Sequence, residues 1–358
     1  MVKYMKVLVA MSGGVDSSAA ALLIKKAGCE CDGVTMRLLG SPRLGCSDIE
    51  QNAEDAALVC EKLGMRHRVV DFSSEFTQCV VEPFVNVYEE GGTPNPCVEC
   101  NKFIKFGKLL EFALENGYDY LATGHYARII EEGGRRFLGE AKDRQKDQSY
   151  FLYGLVPEKL AHVLFPLGDF TKSEVRRMAE ENGFVNAVKR DSQDICFCPD
   201  GEYAQVIEKY TGKTYPEGEF TDVSGRVMGR HRGIINYTVG QRKGLGLALP
   251  EPAYVLRKDI AQNRVVLGKN DDLFARELRA GNVYIDETQY YKMLEDGAVS
   301  VTAKTRYTHR PQPARAVLKE DGLYVVFDEP QRAITCGQSV VLYRDGIVLG
   351  GGIINGTV

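Results

Sequence analysis

The feature that most limits how this chain can fold lies within its first thirty residues. An apolar run, Lys6 to Met11, passes directly into Ser12-Gly13-Gly14-Val15-Asp16-Ser17-Ser18, and an Ala/Leu-rich helical segment from Ser17 to Ala27 follows at once. Paired glycines let a backbone turn tightly and bring bare N–H groups up to a ligand. The start of the helix adds partial positive charge, and serine hydroxyls can donate to phosphate oxygens. A strand, turn and helix of this kind form an anion site on an α/β frame. The loop is not of the Walker A type, because the four-residue spacer and the Gly-Lys-Ser/Thr ending are missing. The plainer alternative is an ordinary glycine-serine turn between a strand and a helix.

The rest of the first two hundred residues supplies the frame. Gly33 to Leu38 and Arg66 to Asp71 read as buried strands, residues 48 to 63 as a helix stopped by Gly64, Asn101 to Glu115 as an amphipathic helix, and Tyr118 to Thr123 as a further strand. Thr171-Lys-Ser-Glu174 fits a capping box for a helix running to Asn182 and stopped by Gly183. This alternation predicts a doubly wound, mostly parallel sheet with helices on both faces. After about residue 205, helical periodicity fades. Short alternating runs take over at Tyr254–Leu256, Val265–Leu267, Val299–Tyr307, Leu323–Phe327 and Ser339–Tyr343, with turn signals at Asp321-Gly322 and Asp345-Gly346. The expected division is an α/β domain over 1–204, a small linking domain over 205–270 and a C-terminal β-barrel over 271–358. A length of 358 residues suits two or three such domains.

A formal net charge of -4 excludes a chain that is basic throughout, so any RNA contact must come from local patches. Two stretches lack acids. Val223 to Pro250 carries Arg226, Arg230, Arg232, Arg242 and Lys243, and residues 302–315 carry Lys304, Arg306, Arg310 and Arg315 interleaved with Tyr307 and His309. Such runs suit phosphate contacts and base stacking, although charge runs are more often solvated surface. The opening Met1-Val-Lys-Tyr-Met-Lys lacks the apolar core of a signal peptide, and no apolar stretch is long enough to span a bilayer. A cytoplasmic protein without a membrane partner is therefore expected. Its ten cysteines are then packing residues, metal ligands or reactive thiols rather than a disulfide scaffold. Cys29, Cys31, Cys60 and Cys79 fall in apolar-periodic segments and read as packing.

Thr93-Pro94-Asn95-Pro96-Cys97-Val98-Glu99-Cys100-Asn101 is a different setting. Two prolines impose an extended loop, and a helix is expected just after it, which places Cys100 at a helix N-terminus and predicts a lowered thiol pKa. Asp194-Ile195-Cys196-Phe197-Cys198-Pro199 puts two more cysteines in a second loop. Incidental solvated thiols are the plainer reading of both, and a packed thiol that of Cys198.

The string Ser-Gly-Gly-Val-Asp-Ser resembles the signature of the ATP pyrophosphatase (PP-loop) superfamily. Four further blocks, with the proline-cysteine loop and its following Ile104-Lys-Phe106, resemble the tRNA 2-thiouridylase family: Ala122-Thr-Gly-His-Tyr-Ala-Arg128, Lys146-Asp-Gln-Ser-Tyr-Phe-Leu152, Ser192-Gln-Asp-Ile-Cys-Phe197 and Tyr237-Thr-Val-Gly-Gln-Arg-Lys-Gly-Leu-Gly246. The resemblance implies a HUP-like PP-loop domain and an enzyme that adenylates the wobble uridine of certain tRNAs and replaces its C2 oxygen with sulfur. It implies ATP held by Ala10, Met11, Ser12, Gly13, Gly14, Val15, Asp16 and Ser17, with Met36 at the adenine edge, Gly124 close by, and Mg²⁺ near Asp16. The position of Cys100 is the family's nucleophile and that of Cys196 its persulfide carrier. Asn95, Pro96, Cys97, His125, Lys146, Asp147, Gln148, Arg306, Tyr307 and Gln338 match positions facing tRNA, chiefly its anticodon stem-loop. The sulfur would come from a cysteine desulfurase or a persulfide relay protein. One position departs from the pattern, since many members carry Asp where this chain has Cys97. With Cys97, Cys100 and Cys196 the chain could supply three thiolates to a [4Fe–4S] cluster, and a cluster-dependent subtype is expected. The competing chemistry is a persulfide passing between Cys196 and Cys100. Two other functions compete: a PP-loop synthetase acting on a small metabolite, which leaves the cysteines idle, and a non-enzymatic iron–sulfur or RNA-binding module, which leaves the nucleotide loop unexplained.

Overall fold

The computed structural model describes residues 5–40, 49–189, 195–198, 201–287, 291, 293 and 297–358. Ser192, Gln193 and Asp194 of the second cysteine loop lie outside the described residues. The chain packs as two units. The first comprises Met1–Val80, Cys97–Asp200 and Asp345–Val348, and the second Val81–Pro96, Gly201–Arg344 and Leu349–Val358. Residues 81–96 thus belong to the second unit, together with the later part of the chain.

In the first unit, strands β1 (Lys6–Ala10), β2 (Glu30–Arg37), β3 (His67–Asp71) and β4 (Tyr120–Ala122) alternate with helices α1 (Val15–Lys26) and α2 (Ile49–Lys62). A hairpin of β5 (Arg128–Glu132) and β6 (Arg135–Gly139) follows, and then the short β7 (Val163–Leu164). The order β3-β2-β1-β4-β7, with every pairing parallel, is the predicted doubly wound sheet. The winding direction reverses between β1 and β4, the point where open α/β sheets receive ligands. Val7, Leu8 and Val9 are fully buried, as a strand covered on both faces requires. Ala19, Ala20 and Ala21 let α1 close tightly on the sheet. Cys29, Cys31 and Cys60 are core residues, and burial pushes the Cys60 thiol up to about 12. Cys79 is only half-buried. Thr171 and Glu174 form the predicted capping box, with the Thr171 N–H donating to Glu174 Oε2 at 2.7 Å and the Glu174 N–H to Thr171 Oγ1 at 3.4 Å.

The segment after the proline-cysteine loop differs from expectation. It begins as an α-turn over Pro96–Glu99, continues as a ten-residue π-helix over Cys100–Leu109 and closes as an α-helix over Leu110–Glu115. Cys100 therefore has a helical turn before it and does not sit at a helix N-terminus. A π-helix bonds i to i+5 and widens the coil, a geometry found mostly at functional sites.

In the second unit, helices Glu82–Glu89 and Tyr203–Thr211 meet through Phe84, Tyr88 and Tyr203, the two tyrosine rings stacking at 6.0 Å. Strands β8 (Gly218–Thr221), β9 (Val227–His231), β10 (Tyr254–Asp259) and β11 (Arg264–Gly268) form a small sheet in the order β10-β11-β8-β9. Strands β12 (Phe274–Ile285), β13 (Val299–Lys304), β14 (Gln312–Lys319), β15 (Gly322–Arg332), β16 (Ser339–Arg344) and β17 (Ile347–Thr357) then run β12-β15-β14-β13-β16-β17, and β12 pairs with β17 to close the barrel. Leu278, Ala280, Leu323, Val325 and Leu342 are fully buried in it. Closure removes the free edges that so many exposed strands would otherwise present. Among the described residues, no helix is long and apolar enough to cross a membrane.

Candidate active site

The parallel sheet brings the carboxyl ends of β1, β2 and β4 to one edge, and with them Ser12–Ser17, Met36 and Gly124. Met11 is stitched in place from both sides: its N–H donates to the Val34 carbonyl at 2.8 Å, and its carbonyl accepts from Thr35 Oγ1 at 2.8 Å. Beyond it the chain turns through Gly13, whose φ of 72° is left-handed. A Cβ there would lie 2.3 Å from the Asn52 carbonyl oxygen, so only glycine fits. Gly14 then caps α1 without any side-chain acceptor. The N–H groups of the first helical turn have no partner within the helix and are available to an anion. Gly124, two residues past β4, lies so close behind this turn that a Cβ would approach Asp16 C and Ser17 N to 2.8 Å. Gly13 and Gly124 thus let the loop close against Asn52 on one side and the β4 end on the other, leaving a cradle of bare N–H groups at the carboxyl edge of the sheet, an arrangement suited to an anion. Ser17 and Ser18 turn their hydroxyls back to the Gly14 carbonyl at 2.9 and 3.1 Å, bracing the loop.

Several residues of this cradle were not foreseen from sequence. Asn186, buried to 2 % exposure, donates to the Gly13 carbonyl at 3.0 Å and to Ser18 Oγ at 2.9 Å. Lys172 Nζ donates to both oxygens of Asp16 at 2.7 and 2.8 Å, and the Tyr126 hydroxyl donates to Asp16 Oδ1 at 2.8 Å. The carboxylate expected near Mg²⁺ is therefore already neutralised by a lysine 156 residues away in sequence. Lys172 lies inside the recognised capping box, but nothing local marks it as a partner of Asp16.

Cys97 and Cys100 lie in this same unit. Cys97 is exposed to solvent, yet protein atoms crowd around it, and its thiol is pushed up by desolvation. Cys100 is buried, and burial pushes its thiol up to about 11, only partly offset by the Lys105 ammonium. The lowered pKa expected for Cys100 is thus reversed: the preceding helical turn removes the N-terminal dipole, and desolvation wins. Cys196 is exposed, whereas Cys198 is fully buried beside Phe197, whose ring packs edge-on against Phe76 at 5.7 Å. Among the described residues, no three His, Cys, Asp or Glu side chains group as a metal site would need.

The expected tRNA-facing residues divide into inward and outward positions. His125 is buried, with Nδ1 2.7 Å from Thr123 Oγ1 and Nε2 3.3 Å from Lys105 Nζ, and desolvation holds its pKa well below the usual histidine value. Its neutral imidazole anchors Lys105. Asp147 is also buried and accepts from the Ala141 N–H at 2.9 Å and the Ser149 hydroxyl at 2.7 Å. Gln148 accepts from the Tyr126 N–H at 2.9 Å and so braces the residue that holds Asp16, while Lys146 is half-buried.

In the second unit, Gln338 donates to the carbonyls of Thr93 and Pro94 at 2.9 and 3.2 Å, holding the strand that carries Asn95 and Pro96. Arg306 donates to the Val239 and Ala333 carbonyls at 3.2 and 3.0 Å, and Tyr307 lies under Lys304 at 5.7 Å. The two basic stretches are less bare in space than in sequence. Arg226 pairs with Asp222 at 3.1 Å and Arg230 with Glu217 at 3.5 Å, whereas Arg232, Arg242, Lys243, Arg310 and Arg315 are exposed.

Comparison with known proteins now bears on this geometry. The chain is 46% identical to the tRNA-specific 2-thiouridylase MnmA of Treponema denticola, over 98% of both chains. The chain belongs to the tRNA-specific 2-thiouridylase family. The corresponding proteins of Clostridioides difficile (45% identity, 98% of both chains) and Acidithiobacillus ferrooxidans (46%, 98% of this chain and 99% of that one) agree. Family profiles match in succession: a tRNA methyl transferase HUP domain over 5–200, a tRNA methyl transferase PRC-barrel domain over 204–269 and an aminomethyltransferase beta-barrel domain over 280–354. A thiouridylase of this family uses ATP with Mg²⁺. Replacing Lys172 by methionine leaves Asp16 with Tyr126 alone and sets an uncompensated carboxylate at the first turn of α1, where it would repel the phosphates of a bound nucleotide. ATP affinity is expected to fall at least tenfold, about 1.4 kcal/mol, in a calorimetric titration.

Proposed function

We propose that this chain is an ATP-dependent tRNA-uridine 2-sulfurtransferase acting on the wobble position of the tRNA-Lys, tRNA-Glu and tRNA-Gln class, and that it works by persulfide chemistry in the cytoplasm. The observation that carries this reading is the glycine-walled phosphate cradle in the same folded unit as Cys100 and Cys196. A methyl transfer, as two of the profile descriptions would suggest, leaves the cradle and the thiols without a task.

In the first step the uridine O2 attacks the α-phosphorus of ATP. An O–P bond forms, the α–β bridge breaks, pyrophosphate leaves and the N3 proton passes to solvent. The first-turn N–H groups of α1 stabilise the charge that builds on the departing phosphates. Asp16 would hold Mg²⁺, which would supply further charge neutralisation there, and Lys172 beside it adds a positive charge at the same edge of the loop. The carbonyl oxygen of uracil is a poor leaving group until AMP is attached, so activation must precede sulfur transfer.

Next the terminal sulfur of a Cys196 persulfide bonds to C2 and AMP leaves with the old oxygen. Cys100, as thiolate, then attacks Cys196 Sγ. The bond between Cys196 and the transferred sulfur breaks, the 2-thiouridine departs and regains its N3 proton, and a Cys100–Cys196 disulfide remains. An external thiol reductant restores both cysteines. The exposure of Cys196 suits loading by a sulfur-donor protein such as a cysteine desulfurase or a persulfide relay. The burial of Cys100 suits a nucleophile brought into play only after substrate has bound.

The test is tRNA-dependent pyrophosphate release and sulfur incorporation by anaerobically prepared enzyme, with iron measured on the same sample. Both activities in iron-free enzyme support the reading. Release stimulated only by a small acid or amine, or thiolation in proportion to iron, overturns it.

A further inference from the structure

Lys258, in β10 of the second unit, is a cation without an anion. Its Nζ lies 3.4 Å from the Gly92 carbonyl oxygen and 5.5 Å from the centre of the Tyr88 ring. No carboxylate pairs with it among the described residues. Nearby acids are committed elsewhere: Glu89 accepts from Lys213 at 2.7 Å and from Tyr215 at 2.6 Å, and Asp259 faces Arg257 at 3.9 Å. Desolvation alone acts on the ammonium, lowering its pKa to about 8. An ammonium withdrawn this far from water ordinarily finds a carboxylate, because the desolvation is otherwise uncompensated. One carbonyl and one aromatic face are weak substitutes.

The place of this lysine gives the vacancy a meaning. The turn below it lies against the end of β10, for a Cβ at Gly91 would meet the side chain of Ile260, just past the strand, at 3.2 Å and Lys258 Cβ at 3.7 Å. The next residues, Thr93 and Pro94, are tied to the barrel by the Thr93 N–H on the Cys336 carbonyl at 2.9 Å and by Gln338. The chain then runs through Asn95 and Pro96 directly into Cys97 and Cys100. Lys258 thus stands on the Gly92 turn, five residues before Cys97 in the chain.

We propose that Lys258 is a phosphate contact for the tRNA backbone, held ready at the Gly92 turn so that one phosphodiester completes its coordination and sets the RNA in register with the loop. This rests on the reading of the chain as a tRNA enzyme. An acid in this position would have stabilised the free protein, but it would have to be displaced by RNA. A carbonyl and a ring orient the ammonium without competing for it.

The test compares wild-type enzyme with Lys258→Met and Lys258→Arg in tRNA binding over a series of KCl concentrations, by fluorescence anisotropy on full-length protein. Loss of one phosphate contact is expected to weaken binding several-fold at low salt. It is also expected to flatten the slope of log Kd against log salt by about 0.7 to 0.9, with arginine restoring the slope. A mere tether for Gly92 would lower thermal stability and leave the slope unchanged, which overturns the proposal. Protection of Lys258 from acylation in the wild-type enzyme, read by mass spectrometry, needs no variant. Protection by tRNA but not by ATP or inorganic phosphate is expected, and equal labelling with and without tRNA also overturns it. Wild-type enzyme that fails to bind tRNA at any salt would instead sink the functional reading, and this inference with it.

Discussion

Replacing Cys100 by serine is expected to stop sulfur transfer while leaving tRNA-dependent pyrophosphate release near its normal rate. In the proposed sequence, adenylation and the first attack need only the phosphate cradle and the Cys196 persulfide. Cys100 is needed to break the bond between Cys196 and the transferred sulfur. Without small thiols, Cys100→Ser should therefore accumulate a covalent tRNA–enzyme adduct through Cys196, visible as a shifted band on a non-reducing gel and discharged as thiolated tRNA by dithiothreitol. In a single turnover of persulfide-loaded enzyme without reductant, release of thiolated tRNA should fall at least ~10³-fold, and a double variant with Cys196→Ser should be no worse, because the two sulfurs act as a unit. The burial of Cys100 adds a pH signature. A thiol pushed up to about 11 gains thiolate as pH rises, so the disulfide-forming step in wild-type enzyme should quicken steadily between about pH 7 and 9. A thiol lowered by a helix N-terminus would level off there instead. Normal thiolation by Cys100→Ser, or the absence of any adduct, would remove Cys100 from the mechanism.

That contrast over Cys100 shows where the sequence is legible and where it stops. Local rules located β1 and α1, the Thr171–Glu174 capping box and the alternation of strands and helices, because each depends on neighbours within a few residues. The same rules took Asn101–Glu115 for one regular helix, since amphipathic spacing does not distinguish a widened coil from an α-helix over so short a run. They also passed over the β5–β6 hairpin, although Gly133-Gly134, both with positive φ, is a standard signal for such a turn. Contacts across the chain were out of reach by any local rule. Asp16 with Lys172, Gly13 with Asn186, and Gln338 with Thr93 join residues whose sequence neighbourhoods carry no trace of one another. The acid-free basic stretch failed in a simpler way, its missing acids being supplied by Asp222 and Glu217 just outside the window.

The phosphate loop itself holds two glycines that sequence treats alike and structure does not. At Gly13 the backbone is left-handed and a methyl group would lie 2.3 Å from the Asn52 carbonyl oxygen, so the restriction comes from the protein. At Gly14 φ is an ordinary -96°, and the nearest neighbour to a Cβ is Ser12 Oγ at 3.4 Å, normal van der Waals contact. Nothing in the folded chain asks for glycine there. Gly13→Ala is therefore expected to destabilise the protein by about 1–3 kcal/mol, because neither the Asn52 backbone nor the turn can move freely, and to lose ATP binding as the turn distorts. Gly14→Ala is expected to cost only about 1 kcal/mol of stability, the difference between glycine and the poorer alanine as a helix cap. Its ATP affinity should nevertheless fall at least tenfold, because the added methyl stands where the triphosphate must approach the bare N–H groups. Chemical unfolding and ATP titration on the same two proteins separate the cases. If Gly14→Ala bound ATP as tightly as wild type, the nucleotide would not lie against this turn, and the assignment of the cradle to its phosphates would have to be given up.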